Sequence, residues 1–412
     1  MGKGKNFRRF ILLWLGEFIS SVGGGLTSFG LGVYVFRMTG SAADMAMISL
    51  LAFLPTLLLS VPAGVLADRM DRRLLMMVGD GCSALGLIYI LICLADGSAS
   101  LPQIYIGVSI SAVFSSLLDP AYKATISELL TKEEYAKASG LVSIAGSARY
   151  LISPVLAGML LAVADIRLLL FIDILTFALT VICTGIVRKG IEHINRKETG
   201  TPFLPEMKAG WQAITEKKGI LVLVIMSSFM TLSMGTIQVL SEPMILDFAD
   251  SATLGAAETI CACGMLVSGV LLGIRGMQKN YVRALGFSLC LAGIAMVAFG
   301  ARDNLVQICI AGFSFFGMLP VANCCLDYLV RVNIREELQG RAWGLIGFLS
   351  QIGYIVAYGS VGHAADSFAK YLAVSTGRGS GYIIMIFGVF LSALAVVVCS
   401  LRSIRQLEEG IS

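Results

Sequence analysis

Four ionisable side chains that could do chemistry interrupt otherwise apolar stretches of the sequence: Glu17, Asp119, Arg149 and Asp173. A carboxyl group can bind and release a proton, whereas an arginine stays charged and needs an anionic partner. We therefore predict that Glu17 exchanges a proton while Arg149 sets its proton affinity, with Asp119 as the second choice of partner for Arg149. A static ion pair that only stabilises the fold is the alternative.

Polar and small residues continue the face of the helix that would carry Glu17, since they follow it at helical spacing: Ser20, Ser21, Gly24 and Ser28. Ser111 and Ser115 precede Asp119 in the same way. Such stripes predict the lining of a polar cavity rather than a surface against lipid. Asp80, a short way into its own apolar segment, is expected to support the loop beside it.

The apolar stretches dominate the composition. Of 412 residues, 57% are hydrophobic and 14% are charged, whereas soluble proteins carry about 25% charged residues. Because so little charge cannot cover a soluble surface of this size, we predict an integral membrane protein. The net charge of +4 does not indicate nucleic-acid binding. The cysteines lie inside apolar runs and the two histidines are isolated, so neither a metal site nor a cofactor is expected.

A membrane-spanning helix needs about 20 mostly apolar residues. Twelve such segments can be drawn in the sequence: 10–36, 44–66, 74–95, 102–125, 138–163, 168–187, 219–246, 253–274, 282–300, 304–330, 340–363 and 381–402. The predicted fold class is therefore all-α, with twelve spanning helices in two pseudo-symmetric six-helix bundles. The bundles would be residues 1–187 and 219–412.

The polar segment 188–218 would join the two bundles as a cytoplasmic linker. Apolar residues at helical spacing over 203–214 predict an amphipathic helix, which either lies on the inner leaflet or docks a partner. A faint repeat supports two related halves, because Lys132-Glu133-Glu134 and Arg335-Glu336-Glu337 precede the fifth and eleventh segments.

The basic residues predict the orientation, because cytoplasmic loops are enriched in Lys and Arg. With the N-terminus inside, 25 of the 31 Lys and Arg residues fall on the inner side and 5 on the outer side, and Arg149 lies within a helix. We therefore expect both termini in the cytoplasm of a multi-pass plasma-membrane protein, in a bacterial host.

A dense charged stretch joins the second and third segments: Gly64-Val-Leu-Ala-Asp68-Arg69-x-x-Arg72-Arg73. It resembles the signature loop of the major facilitator superfamily, and the layout of six plus six helices agrees over the whole chain. The resemblance implies that Asp68 and the arginines form a conformational latch against neighbouring helix ends. A solvated cytoplasmic loop is the simpler alternative. Asp71, where many members have glycine, can cap the third helix.

A second motif lies in the fifth segment: Gly146-Ser-Ala-Arg149-Tyr-Leu-Ile-Ser153-Pro154-Val-Leu-Ala157-Gly158. It resembles the antiporter motif of drug-exporting members, with Ser153 and Ala157 replacing two glycines, and Pro154 permits a kink. Asp119-Pro120-Ala121 and the Trp14-x-Gly16-Glu17 start resemble the macrolide-efflux and siderophore-exporter branch, in which glutamine is more common at the position of Glu17.

These resemblances imply a secondary active exporter, in which a proton is exchanged for an amphiphilic compound such as a drug or siderophore by alternating access. The predicted partners are a small-molecule substrate, protons and the lipid bilayer, with a monomer as the expected state. The alternative is a proton-coupled importer or facilitator of a small metabolite. The sequence offers no nucleophile–base pair for a membrane enzyme and no P-loop for an ATPase. A sensor without transport is a further rival.

Overall fold

The computed structural model describes residues 3–97, 99–131, 134–189, 203–277 and 280–409. These residues form sixteen α-helices and no strand: α1 (Lys3–Thr39), α2 (Ala42–Arg69), α3 (Arg72–Ala95), α4 (Leu101–Ser115), α5 (Leu118–Leu129), α6 (Tyr135–Leu151), α7 (Ser153–Val163), α8 (Ile166–Arg188), α9 (Phe203–Thr215), α10 (Lys218–Leu246), α11 (Ser251–Arg275), α12 (Tyr281–Ala301), α13 (Leu305–Asn333), α14 (Glu336–Leu372), α15 (Thr376–Ser400) and α16 (Arg402–Glu409).

Within the described residues, twelve helical spans are long and apolar enough to cross a membrane. Their positions confirm the predicted all-α membrane fold and follow the predicted segments closely. The main difference is α14, which continues to Leu372 although its apolar run ends near His363. Its last turns carry Asp366 and Lys370, and a helix that extends beyond the bilayer can place such side chains in water.

Two of the twelve spans are broken. The fourth divides into α4 and α5 at Ser116 and Leu117, and the fifth divides into α6 and α7 at Ile152. Pro154 lies in the first turn of α7, where its missing N–H costs no intrahelical hydrogen bond. The interruption thus lies two residues before Pro154, and the kink that this proline permits stays a prediction.

The chain separates into two compact units. Unit 1 comprises Met1–Thr39, Met47–Thr199 and Ser251–Ala256, and unit 2 comprises Gly40–Ala46, Gly200–Asp250 and Ala257–Ser412. The division into 1–187, 188–218 and 219–412 stays a prediction, since 190–202 lie outside the described residues, as do Lys132 and Glu133 of the proposed repeat.

Close helix packing holds each unit together. In unit 1, α1 packs on α8 and α6, and α3 packs on α4 and α8. The backbones of α3 and α4 approach so closely that a side chain at Gly86 would collide with the carbonyl of Gly107. In unit 2, α12 packs on α13 and α15, and α10 packs on α14. A side chain at Gly293 would likewise collide with the serine side chain of Ser392.

The predicted linker helix is present as α9, and it lies against α14 of its own chain. Ala213 and Ile214 are buried, and Gly210 is close to the backbone of Arg341. Trp211 is exposed and remains the side chain that could reach the inner leaflet. The short helix α16 was not predicted. Its Glu408 accepts a 2.7 Å hydrogen bond from the backbone N–H of Tyr281, which begins α12.

Candidate functional site

Glu17 lies on α1, at the centre of the acidic groups of unit 1. Its side chain is half-buried, and no ion pair joins it to any cation in the part of the chain that the structure describes. Instead, the carboxyls of Asp119 and Asp80 lie within electrostatic range of it. The site is therefore a group of like charges, and neutralising one of them by a proton relieves their mutual repulsion.

Arg149 on α6 does not pair with either predicted partner. Its Nη2 donates a 3.0 Å hydrogen bond to the hydroxyl of Ser28. The guanidinium also lies within electrostatic range of the carboxyl of Asp173. Asp119 is exposed and pairs at 2.7 Å with Lys123, one turn further along α5. The expected Glu17–Arg149 and Asp119–Arg149 pairs are thus wrong, because the turn of α6 directs the guanidinium to a later turn of α1.

Asp173 is buried on α8, where it begins a line of threonines. The Thr176 hydroxyl donates to the backbone carbonyl of Asp173 at 2.7 Å and lies 3.2 Å from its Oδ1. One turn on, the Thr180 hydroxyl donates to the carbonyl of Gly16 on α1 at 3.1 Å. With Thr184, this line keeps polar atoms along the buried contact between α1 and α8.

One face of unit 1 is left open by the helices of that unit. A side chain built at Gly24 on α1 or at Gly146 on α6 would meet no atom within 4 Å. Ser28 and Arg149 are exposed on the same two helices. Of the polar stripe predicted on the first helix, Gly24 and Ser28 are therefore left uncovered by the other helices of unit 1, whereas Ser20 is buried.

Asp80 lies inside α3 where the sequence places it, but its surroundings differ from those expected. Its side chain is 1% exposed, and neither carboxylate oxygen has a hydrogen-bond partner among the described residues. The expectation that it supports the adjacent loop is wrong, because it lies two turns inside the helix and faces Glu17 and Asp173 electrostatically. This environment results from the packing of α3 against α8, which the local sequence does not indicate.

The charged loop holds its arginines in place through a glutamate that its own motif does not contain. Arg73 Nη2 lies 3.1 Å from Glu128 Oε1 on α5, and Arg72 Nη1 lies 3.6 Å from Glu128 Oε2. Arg72 Nη1 also donates a 2.8 Å hydrogen bond to the carbonyl of Ala124. The side chain of Asp68 is 78% exposed, with a 3.5 Å contact to Arg72.

The remaining loop residues place α3 relative to α8. Asp71 caps α3, accepting a 3.1 Å hydrogen bond from the backbone N–H of Arg73, as its position predicts. Its other oxygen accepts a 2.7 Å hydrogen bond from Arg188 Nε at the end of α8. Burial raises the pKa of Asp71, but the hydrogen bonds and charge of Arg188 outweigh it and leave that pKa below its usual value. Arg69 is the last residue of α2. A side chain at Gly64, five residues earlier, would meet no atom within 4 Å.

The antiporter-like motif brings α7 close to α1. Ser153 is fully buried and donates a 3.0 Å hydrogen bond to the carbonyl of Val22. A side chain at Gly25 would collide with Ser153, and a side chain at Gly158 would collide with the carbonyl of Ser251. Small residues are thus required at this break for reasons of space.

Unit 2 has polar groups of its own within its spanning helices. The Ser227 hydroxyl on α10 donates to the Ser350 hydroxyl on α14 at 2.8 Å, and Tyr358 on α14 donates to Gln238 on α10 at 2.8 Å. Glu242 on α10 and Glu258 on α11 lie within electrostatic range of each other. No group of three or more His, Cys, Asp or Glu side chains in the described ranges is placed to hold a metal ion.

Twelve apolar spans, carboxyl groups buried within them and a charged loop between the second and third spans define a multi-pass membrane transporter. Residues 13–358 match the family model of the Major Facilitator Superfamily. The chain belongs to this family, and it is a transporter of small molecules in the cell membrane rather than an enzyme.

Relatives within the family align over nearly the whole chain. Macrolide efflux protein A of Streptococcus pyogenes is 24% identical, over 99% of this chain and 100% of that protein. The enterobactin exporter EntS of Shigella flexneri is 23% identical, over 98% of this chain and 94% of that protein. A solved structure of a bacterial homologue of the human lysosomal transporter Spinster matches with a TM-score of 0.74 at 13% identity, over 99% of each chain. That likeness concerns the fold alone.

Proposed function

We propose that the protein is a secondary active exporter that moves amphiphilic compounds, such as macrolide drugs or siderophores, outward in exchange for protons. The direction and substrate class are supported by the alignment with a macrolide efflux protein and an enterobactin exporter over nearly the full chain. Alternating access would expose one site to each side of the membrane in turn.

The observation that carries the proton coupling is the state of Glu17. A charged group within a membrane span is costly and is retained where it has a function. A permanent ion pair would fix the charge of Glu17, but no such pair is formed in the described structure. Glu17 is therefore free to change its protonation state, and Arg149, Asp119 and Asp173 supply the surrounding charges.

Two further elements would serve the change of conformation. The loop residues Gly64, Asp68, Arg69, Arg72 and Arg73 would act as a latch at one end of the spans. Gly146, Ser153, Pro154 and Gly158 would provide the kink and close packing of the fifth span. The exporter would work as a monomer in the plasma membrane, with both termini in the cytoplasm.

An accumulation assay tests this proposal. Bacteria deficient in their own exporters would express the wild type, Glu17→Gln or Glu216→Gln, and the uptake of a labelled compound panel that includes a macrolide would be measured. Glu216 is an exposed glutamate at the end of the linker helix, so its variant is the matched control. We expect wild type and Glu216→Gln to lower accumulation relative to empty-vector cells, and a protonophore to abolish the difference.

Glu17→Gln should lose this proton-dependent export because the amide cannot titrate. Higher accumulation in expressing cells than in empty-vector cells would favour the importer and refute export. Normal export by Glu17→Gln with an unchanged pH dependence would refute the assignment of the proton to Glu17.

A further inference from the structure

Asp80 and Asp173 are equally buried carboxyl groups of unit 1, but only Asp173 accepts a side-chain hydrogen bond, from Thr176. Asp80 lies on α3 with 1% of its surface exposed, and both of its oxygens are buried without a hydrogen-bond partner among the described residues. A structural aspartate in such a position normally receives hydrogen bonds from backbone or side chains. The absence of these bonds requires another explanation for a carboxyl group in the interior of a spanning helix.

The charged groups that face Asp80 make the explanation specific. From α1, the carboxyl of Glu17 lies within electrostatic range, and from α8 the carboxyl of Asp173 does so. α5 contributes the buried Tyr122 hydroxyl, which is within electrostatic range of Glu17. On α4, the backbone carbonyl of Ser111 accepts a 3.1 Å hydrogen bond from the hydroxyl of Ser83, one turn along α3 from Asp80, and the Ser115 hydroxyl lies 2.9 Å from the same hydroxyl.

The cations near α3 are engaged elsewhere. Arg73, two turns before Asp80 on the same helix, pairs with Glu128 on α5. Arg188 pairs with Asp71 at the helix end, and Arg149 bonds to Ser28. None of these cations therefore pairs with Asp80, and the ionisable groups within electrostatic range of it are the acids Glu17 and Asp173.

An ionised carboxyl without a counter-charge or hydrogen bonds is strongly disfavoured in such surroundings, and the group binds a proton instead. We propose that Asp80 is a proton-binding site of the transport cycle, loaded in the conformation described here and emptied when the helices around it separate. This inference rests on the proposed proton coupling and adds a second site to Glu17.

The chemistry of the step is a simple proton transfer. When water reaches Asp80 from one side of the membrane, the O–H bond of the carboxyl breaks, its electron pair stays on the oxygen, and the proton passes to water. A proton arriving from the other side restores the neutral acid. Because Glu17 is a neighbouring acid, a negative charge on one carboxyl favours the protonated form of the other. The two sites would therefore empty in sequence.

Infrared spectroscopy tests the protonation directly and needs no substrate. The full chain in lipid at neutral pH should show the C=O stretch of a buried protonated carboxyl group, shifted by exchange into heavy water. Because other buried carboxyl groups such as Glu242 can contribute to this band, we expect Asp80→Asn to lose one component of it and Asp96→Asn, a matched change at the exposed end of α3, to keep the wild-type band. The same signal in Asp80→Asn as in wild type, or none in wild type, would overturn the inference.

Liposome transport of labelled erythromycin tests the role of that proton. Asp80→Asn should keep exchange of labelled for unlabelled compound, which needs no net proton movement, while flux driven by a pH gradient falls to the level of protein-free liposomes. Asp96→Asn should keep both. Loss of both activities in a monodisperse Asp80→Asn protein would make Asp80 structural and overturn the inference.

The two proposals fail in different ways. If wild type shows no flux driven by a pH gradient, the proposed antiport fails, and the role of Asp80 in transport fails with it. If wild type is driven by the gradient and Asp80→Asn is driven equally well, only the assignment of Asp80 fails.

Discussion

The replacement of Glu128 by glutamine isolates the ion pair that anchors the charged loop. The side chain of Arg73 is 4% exposed and that of Glu128 is 18% exposed, and their closest atoms are 3.1 Å apart. Nε of Arg73 has no hydrogen-bond partner in the described structure. Glu128→Gln keeps the shape of the side chain and one acceptor oxygen, but it leaves the guanidinium without its counter-charge.

The burial of the pair determines the expected size of the effect. Exposed ion pairs contribute about 0–1 kcal/mol, whereas removing one partner of a fully buried pair costs roughly 3–5 kcal/mol. Glu128 is partly exposed, and neither Nε nor Nη2 of Arg73 forms a hydrogen bond in the described structure. We therefore expect a loss between these limits, about 2 kcal/mol. At 1.4 kcal/mol for each factor of ten, this is a roughly 30-fold change in the unfolding equilibrium.

Thermal unfolding in detergent would measure this loss. Nine cysteines in the described residues are free thiols, so a thiol-reactive dye can report their exposure as the protein unfolds. A loss of about 2 kcal/mol corresponds to a midpoint lowered by roughly 4–8 °C for a unit of about 200 residues.

Glu216→Gln is the matched control for this experiment. Glu216 also lies 3.1 Å from an arginine, Arg335, but the two side chains are 53% and 74% exposed. We expect this control to lose less than about 1 kcal/mol. Equal midpoint shifts for Glu128→Gln and Glu216→Gln would refute the reasoning, because burial would then not determine the strength of the anchor.

Two other substitutions separate conformational roles from stability. Asp68→Asn should change the free energy of unfolding by no more than about 0.5 kcal/mol, since the side chain of Asp68 is largely exposed. It should nevertheless slow transport in liposomes, because the latch would lose a charge. Normal transport by this variant would show that the loop is only a solvated connection. Gly25→Ala should lower the unfolding midpoint, at a cost of about 1–3 kcal/mol, because the new methyl group would collide with Ser153. Gly24→Ala, which meets no atom within 4 Å, should change stability by less than about 1 kcal/mol, and equal losses at both glycines would contradict the packing described for α1 and α7.

The spanning helices could be predicted because the bilayer imposes a length and an apolar composition on each of them. The interruption of the fifth span at Ile152 has a similarly local marker, the missing N–H of Pro154. The break at Ser116 and Leu117 has a similar local marker in Pro120, which lies in the first turn of α5, but this break was not predicted. The extension of α14 was missed because its last turns are polar and carry no hydropathy signal.

The partners of the charged groups could not be predicted, because they lie on helices that are distant in sequence. Glu128 lies 55 positions after Arg73 and outside the charged loop motif, so that motif does not indicate their pairing. Arg149 was expected to pair with Glu17 because a buried arginine needs an anionic partner, but the sequence does not specify the direction in which a side chain points around the helix axis. The burial of Asp80 likewise depends on the packing of α3 against α8.

The hydrogen bonds at the start of α2 can form only late in synthesis of the chain, because their partner lies on α14. Its first backbone N–H groups donate to Asp366 on α14, at 2.9 Å from Ala42 and 3.0 Å from Ala43, and the Ser41 hydroxyl donates to the same carboxylate at 2.7 Å. A ribosome synthesises Asp366 more than 320 residues after Ala42. During that interval the nascent second helix must leave its first turn solvated at the membrane surface, so this turn is among the last parts of the chain to reach its final hydrogen bonding.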